Sequence, residues 1–154
     1  MRKALLLAVV VVACSKAETP ATDTAAATTP PPPPPPAALT AADVRGTWNG
    51  TSKREGSDSA RAFVVVSNSD STGKIIYAGT KDSVRTSTTF SGDSMIVTSA
   101  SHKDPTLPKA VGNVVFKAIG RMKDGKLVGT AAIMSAAKPD SVIGRATWEA
   151  TKAP

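Results

Sequence analysis

From residue 44 onward the chain breaks into eight short segments that are β-branched or alternate apolar with polar, and most of the gaps between them are turns of a few residues. The segments are 44–53, 60–68, 74–80, 83–90, 94–101, 113–122, 126–135 and 142–151. Few of them carry apolar residues at i, i+3, i+4, i+7, so the pattern reads as strands rather than helices. Strands joined mostly by short turns form an antiparallel meander. A meander either closes into an up-and-down barrel or folds into a sandwich. The expected fold is therefore all-β: one small antiparallel up-and-down barrel of about eight strands, with a sandwich as the alternative. Closure suits a chain this rich in β-formers, because it removes exposed edges.

The punctuation supports this order. Asp124-Gly125 sits between two strands and predicts a tight hairpin, since both residues tolerate positive φ. Ser91-Gly92-Asp93 and the 70–73 stretch have similar turn chemistry. Lys138-Pro139-Asp140 is expected to end the seventh strand, because proline cannot donate to a ladder. The longest connection, 102–112, holds two prolines.

Three strands have a readable inner face. These faces are Val44, Gly46, Trp48 and Gly50 in the first strand, Val114, Phe116, Ala118 and Gly120 in the sixth, and Val142, Gly144, Ala146, Trp148 and Ala150 in the last. The alternate positions carry Arg45, Asn49, Lys117, Arg121, Arg145 and Glu149, which belong in water. Each of the two terminal strands thus offers one inward tryptophan among small residues. If these strands pair, both indoles enter one interior. Small barrels fill their taper by alternating large and small residues, so the indoles serve either as a core plug or as the walls of an apolar pocket.

The amino terminus is a different polymer. Met1-Arg2-Lys3 is basic, and Ala4 to Ala13 is an unbroken apolar run. A basic start, a short apolar run and a small residue before a cut make a secretory signal, and the run is too short to span a bilayer, which takes ~20 residues. Ending on Val11-Val12-Ala13-Cys14, it resembles a bacterial lipoprotein signal. The resemblance implies cleavage after Ala13 and lipidation of Cys14, with acyl chains contributing ~0.8 kcal/mol per buried CH2 to membrane anchorage. Ser15, where some lipoproteins carry aspartate, implies an outer-membrane address facing the periplasm. Cys14 is the chain's single cysteine, so no intramolecular disulfide can form and stability must come from a core.

Residues 15–42 are mostly Ala, Thr and Pro, with Pro30 to Pro36 in a row. Such a segment buries too little apolar surface to offset its ordering entropy and is expected to be a disordered stalk. The seven prolines favour a polyproline II rod of about 22 Å. The expected organisation is a signal at 1–13, a lipidated linker at 14–42 and a folded domain at 43–154.

Gly46-Thr47-Trp48, followed by a β-rich domain of suitable strand count, resembles the lipocalin or calycin-like superfamily. The resemblance implies an eight-stranded barrel with the tryptophan at its closed end and a role in carrying small hydrophobic molecules. The family's T-D-x-x-Y element is missing. Its arginine over the tryptophan has no counterpart at Arg145, which alternation points outward.

The residues offer little catalytic chemistry. The single histidine, His102, lies with Asp104 in a proline-bearing loop, without an evident nucleophile. One histidine cannot build a histidine-rich metal site, and no metal or other cofactor is expected. The stretches 135–138 and 71–74 both match S-x-x-K, but in strand ends and turns rather than at the start of a helix. The 68–73 stretch echoes a calcium loop but has Gly79 where a glutamate is required, so a hairpin turn explains it better. Asn49-Gly50-Thr51 matches an acceptor sequon, to which a bacterial lipoprotein gives little meaning. The full chain carries +7 from 19 basic and 12 acidic residues, and the basic residues of the 43–154 domain are scattered, with no basic run and no interleaved aromatics, so no nucleic-acid partner is implied.

The leading expectation is a non-enzymatic, lipid-anchored envelope protein that holds a small apolar or lipidic ligand inside its barrel. Trp48, Trp148 and Phe116, with Phe63 and Tyr77, would line the site. The alternative is a fully packed barrel that contacts an envelope protein or an anionic polymer through its outer face or the 102–112 loop.

Overall fold

The computed structural model describes residues 37–68 and 71–154. The expected lipoprotein signal at 1–13, Cys14 and residues 15–36 of the expected stalk lie outside these residues. Eight strands form one closed antiparallel barrel in sequence order: β1 (Gly46–Arg54), β2 (Ala60–Ser67), β3 (Thr72–Tyr77), β4 (Ser83–Ser91), β5 (Ser94–Ser99), β6 (Val114–Lys123), β7 (Lys126–Ser135) and β8 (Lys138–Lys152). β1 pairs with β8 from Trp48↔Lys152 to Arg54↔Ala146, and this closes the cylinder. The expected up-and-down barrel is the fold, and the sandwich is excluded. The architecture is compatible with a lipocalin-like fold.

The turns follow their residues. Asp124 and Gly125 both adopt positive φ, at 50° and 74°, which lets β6 return as β7 in two residues. Ser91 pairs with Ser94 across Gly92-Asp93. The Asn68 N–H donates to the Thr72 carbonyl at 2.8 Å, so that stretch is a hairpin closure.

Three boundaries differ from expectation. Val44 does not begin β1 but ends a one-turn helix, α1 (Ala41–Val44), and is 3% exposed. Thr40 and Asp43 form a reciprocal capping box at its start, which fixes the chain direction there. Leu39 is also buried, and its N–H donates to the Gly92 carbonyl at 2.9 Å. The packed chain therefore begins upstream of Asp43.

Pro139 lies inside β8 rather than ending β7. Ser135 pairs with Lys138 and Met134 with Val142, so the strand bulges between them. A bulge needs no ladder hydrogen bond from the proline, which is why it is tolerated there. The same irregularity breaks the alternation at the start of β8. Val142, expected to point inward, is 43% exposed, and Ile143 beside it is 39% exposed.

The inner faces pack one core from Leu39, Val44, Trp48, Phe63, Ile75, Val84, Met95, Phe116, Ala118, Leu127 and Ala150. Glycines accommodate the rings. Gly120 and Gly129 pair across β6 and β7, and Gly129 pairs with Trp148. A Cβ on Gly120 would fall 2.5 Å from Trp148 Cζ2, so the indole lies directly over this backbone. The Phe63 ring lies over Gly50 in the same manner. Large side chains across from glycines fill the interior without pushing strands apart.

Candidate functional site

The two ends of the barrel are built differently. At one end α1 and Leu39 cover the opening. Trp48 is 2% exposed, and its Nε1–H donates to the Val44 carbonyl at 2.8 Å. That carbonyl belongs to the last residue of α1, where no intrahelical partner exists. The indole thus ties the helix across the barrel end. Lys152 pairs with Trp48 in the β1–β8 register, and its Nζ lies 5.7 Å from the ring centroid. A cation over this tryptophan is therefore present, supplied by the last residue of β8. Arg145 is exposed, as alternation requires. Lys152 is revealed only by the β1–β8 register, which pairs residues about a hundred positions apart.

At the other end the β1–β2 hairpin and the 102–112 loop form a polar mouth. Asp104 reaches from the loop to both strands of the hairpin. Its carboxylate accepts from Arg61 Nη1 at 3.1 Å and from Arg54 Nη2 at 3.4 Å. The Thr106 N–H and Oγ1 also donate to it, at 2.9 and 2.8 Å. Burial of this carboxylate pushes its pKa up. The Thr106 hydrogen bonds and the Arg61 and Arg54 charges outweigh that, so the group sits below the ordinary aspartate value. The Arg61 guanidinium lies 4.0 Å from the Tyr77 ring centroid. Burial pushes the Tyr77 phenol up to about 12, and the nearby Asp104 charge adds to the rise.

Between the ends lies an apolar cavity of about 100 Å³. All five residues singled out from the sequence line it: Trp48, Phe63, Tyr77, Phe116 and Trp148. The two tryptophans are not side by side. Trp48 pairs with Lys152, while Trp148 pairs with Ser52, four residues further along β1. They therefore stand about 13 Å apart along the strand, one at the plugged end and one toward the mouth. The Trp148 Nε1–H donates to the Thr130 carbonyl at 3.2 Å. Ser52, Tyr77, Phe116 and Ala131 line both the cavity and a vestibule of about 440 Å³ under the mouth, so the two spaces adjoin.

His102 and Asp104 do not form a catalytic pair. The His102 Nδ1 lies 3.0 Å from the Ala100 carbonyl, its ring stands edge-on to Phe116, and Asp104 is engaged by the arginines. Ser135 and Lys138 of one S-x-x-K stretch face each other across the β7–β8 hairpin, in extended chain rather than on a helix. Among the described residues, no group of three His, Cys, Asp or Glu side chains converges as metal ligands would.

Fold and site together define a closed eight-stranded β-barrel with an apolar interior, one plugged end and one polar, ion-paired mouth. No family model, curated protein or solved structure matches the chain.

Proposed function

We propose that the domain is a non-catalytic binding protein that holds a small apolar or amphipathic molecule inside its barrel. The observation that carries this reading is the interior cavity of about 100 Å³, walled by five aromatic side chains and adjoining a vestibule at one end only. Ligand pockets are concave and mostly apolar, with few polar groups, and span roughly 300–1,000 Å³. The cavity alone is smaller than that. The vestibule brings the accessible space into this range. The ligand is therefore one with a short apolar part. We place the protein in the cell envelope, held through a lipidated Cys14.

Native mass spectrometry of the full chain from its own envelope tests the reading. A small co-purifying species that departs on denaturation supports it. Ala131→Leu, at the junction of cavity and vestibule, should then abolish retention while the barrel still folds. Retention unchanged in that variant would remove the cavity from the account.

One observation favours a second reading, a packed barrel that docks through its outer face. Ile119 is 50% exposed on β6, and Lys117 on the same face and Arg145 on β8 border the same broad groove. An envelope protein or anionic polymer is the partner this face would take. A clean apo mass together with salt-sensitive capture of such a component would support it.

A further inference from the structure

The mouth contains two guanidiniums and one carboxylate. Among the residues lining the vestibule, Arg54 and Arg61 are the permanent cations and Asp104 is the carboxylate. Each guanidinium carries five N–H donors in a rigid fork suited to bidentate contact with a carboxylate. Toward the protein's own acceptors, Arg54 uses Nη2 and Arg61 uses Nη1. Their contacts to Asp104 are 3.4 and 3.1 Å, longer than the ~2.7–2.9 Å of an optimal charge-assisted bond. One carboxylate is thus stretched between two cations, and the vestibule keeps an excess positive charge.

Three further features bear on what this arrangement is for. Asp104 belongs to the 102–112 loop, whereas Arg54 and Arg61 sit on paired strands of the barrel wall. The cations are on the sheet and the anion is on a connecting loop. Thr106 gives Asp104 two hydrogen bonds from within its own loop, so the carboxylate keeps partners if it leaves the arginines. Finally, Arg61 is stacked on Tyr77, which lines both vestibule and cavity, so its charge stands where the apolar interior begins.

We infer that Asp104 occupies the position of a ligand's anionic head. The ligand is a small carboxylate with a short apolar tail. Its tail enters the aromatic cavity, its head takes both guanidiniums, and Asp104 with its loop is displaced from the mouth. This inference rests on the ligand-binding reading above and specifies the chemistry of the ligand. The cavity of about 100 Å³ sets the tail length, since a 150 Å³ apolar cavity accepts a benzene ring. The competition is built in: the protein's own carboxylate must be exchanged for the ligand's, which excludes neutral molecules that cannot replace it.

Isothermal titration of the full chain with hexanoate, and with hexan-1-ol as the uncharged partner, tests this. Hexanoate should bind at least tenfold more tightly than hexan-1-ol. Asp104→Asn removes the competing charge and should tighten hexanoate at least threefold while leaving hexan-1-ol unchanged. Arg61→Gln should reduce the preference for hexanoate to near unity. The imidazole resonances of His102, the chain's single histidine, should shift on saturation with hexanoate as the loop moves. Should Asp104→Asn not fold, Asp104→Ser removes the same competing charge with a smaller side chain and should also tighten hexanoate. Equal binding of acid and alcohol would overturn the inference and leave the apolar pocket standing. So would hexanoate binding that is unchanged or weakened in the folded Asp104→Asn protein. If neither compound binds any variant, the ligand-binding reading falls and this inference with it.

Discussion

Replacing Trp48 by phenylalanine separates the two roles of that indole, filling the barrel end and tying α1 to it. The substitution keeps an aromatic ring in the core but deletes the Nε1–H that donates to the Val44 carbonyl at 2.8 Å. The contact is buried, with Trp48 2% and Val44 3% exposed, so water cannot easily replace the lost donor. Leaving a buried acceptor unpaired costs ~1–3 kcal/mol. Trimming the indole to a phenyl leaves a small void worth ~1 kcal/mol more. The expected loss is therefore ~2–4 kcal/mol, a substantial part of a typical domain's ~5–15 kcal/mol. For a domain of this size each kcal/mol is ~4 °C, so Tm should fall by about 8–16 °C. Trp148→Phe is the control. That indole donates at 3.2 Å to a carbonyl on Thr130, an exposed residue, where water can substitute. Its loss and the same trimming of the ring should together cost ~1–2 kcal/mol, or about 4–8 °C. Thermal melts followed by circular dichroism, with amide exchange at Leu39 and at residues 41–44, measure both effects. Exchange in α1 should accelerate in Trp48→Phe and not in Trp148→Phe. If Trp48→Phe melts no lower than Trp148→Phe, the indole bond is not what holds the plugged end, and the reasoning fails.

Other outcomes follow from the same packing. Gly120→Ala places a methyl 2.5 Å from Trp148 Cζ2, and this overpacking should cost ~1–3 kcal/mol in a denaturant melt, with part of the loss recovered in Gly120→Ala/Trp148→Phe because the two sites touch. Tyr77 is the only tyrosine, so absorbance near 295 nm reports it alone; its phenol should ionise near 12 rather than at the ordinary ~10, and a midpoint at 10 would contradict its burial against the mouth. Asp104 has a depressed pKa in the folded protein, so it contributes stability above its unfolded value of ~3.9 and loses that contribution as the pH falls through the lower folded value. The melting difference between wild type and Asp104→Asn should accordingly be present at pH 7 and vanish at the acid end of the titration.

The strands were legible because the signal that defines them is local. Eight β-branched or alternating runs and turn residues such as Asp124-Gly125 read directly as a meander, and closure follows from pairing the first run with the last. Three of the five aromatic wall residues were legible for the same reason: alternation alone puts Trp48, Phe116 and Trp148 inside, whereas Phe63 and Tyr77 lie on strands without so clear an alternation. What escaped depends on contacts distant in sequence. Leu39 and α1 look like the end of an Ala/Thr linker, and only the barrel end they cover makes them core. Val142 follows the period-two rule on paper, but the bulge around Pro139 shifts the register and turns it outward. The mouth was the least visible part. Arg54 and Arg61 lie at the mouth end of two paired strands and Asp104 lies more than forty residues further on, so no spacing motif joins them. The 102–112 loop stood out by its length and prolines, without a sign of what it would touch.

The asymmetry between the two ends has a consequence for how anything enters. The plugged end is closed by buried apolar side chains and an indole hydrogen bond, contacts that open only with the core itself. The mouth is closed by partly exposed ion pairs between Asp104 of the 102–112 loop and Arg54 and Arg61 of the sheet, with an isolated bridge His102↔Val114 at the start of the loop. Local opening is drawn from segments with few buried apolar contacts, so the mouth must open at lower free energy than the plug. Ion pairs of this exposure also weaken as salt rises, whereas the apolar plug does not. Raising ionic strength should therefore speed amide exchange in the 102–112 loop while leaving residues 41–44 unchanged. Such a gradient along one barrel axis would make the mouth the entrance. Equal response at both ends would mean that the ion pairs do not gate it.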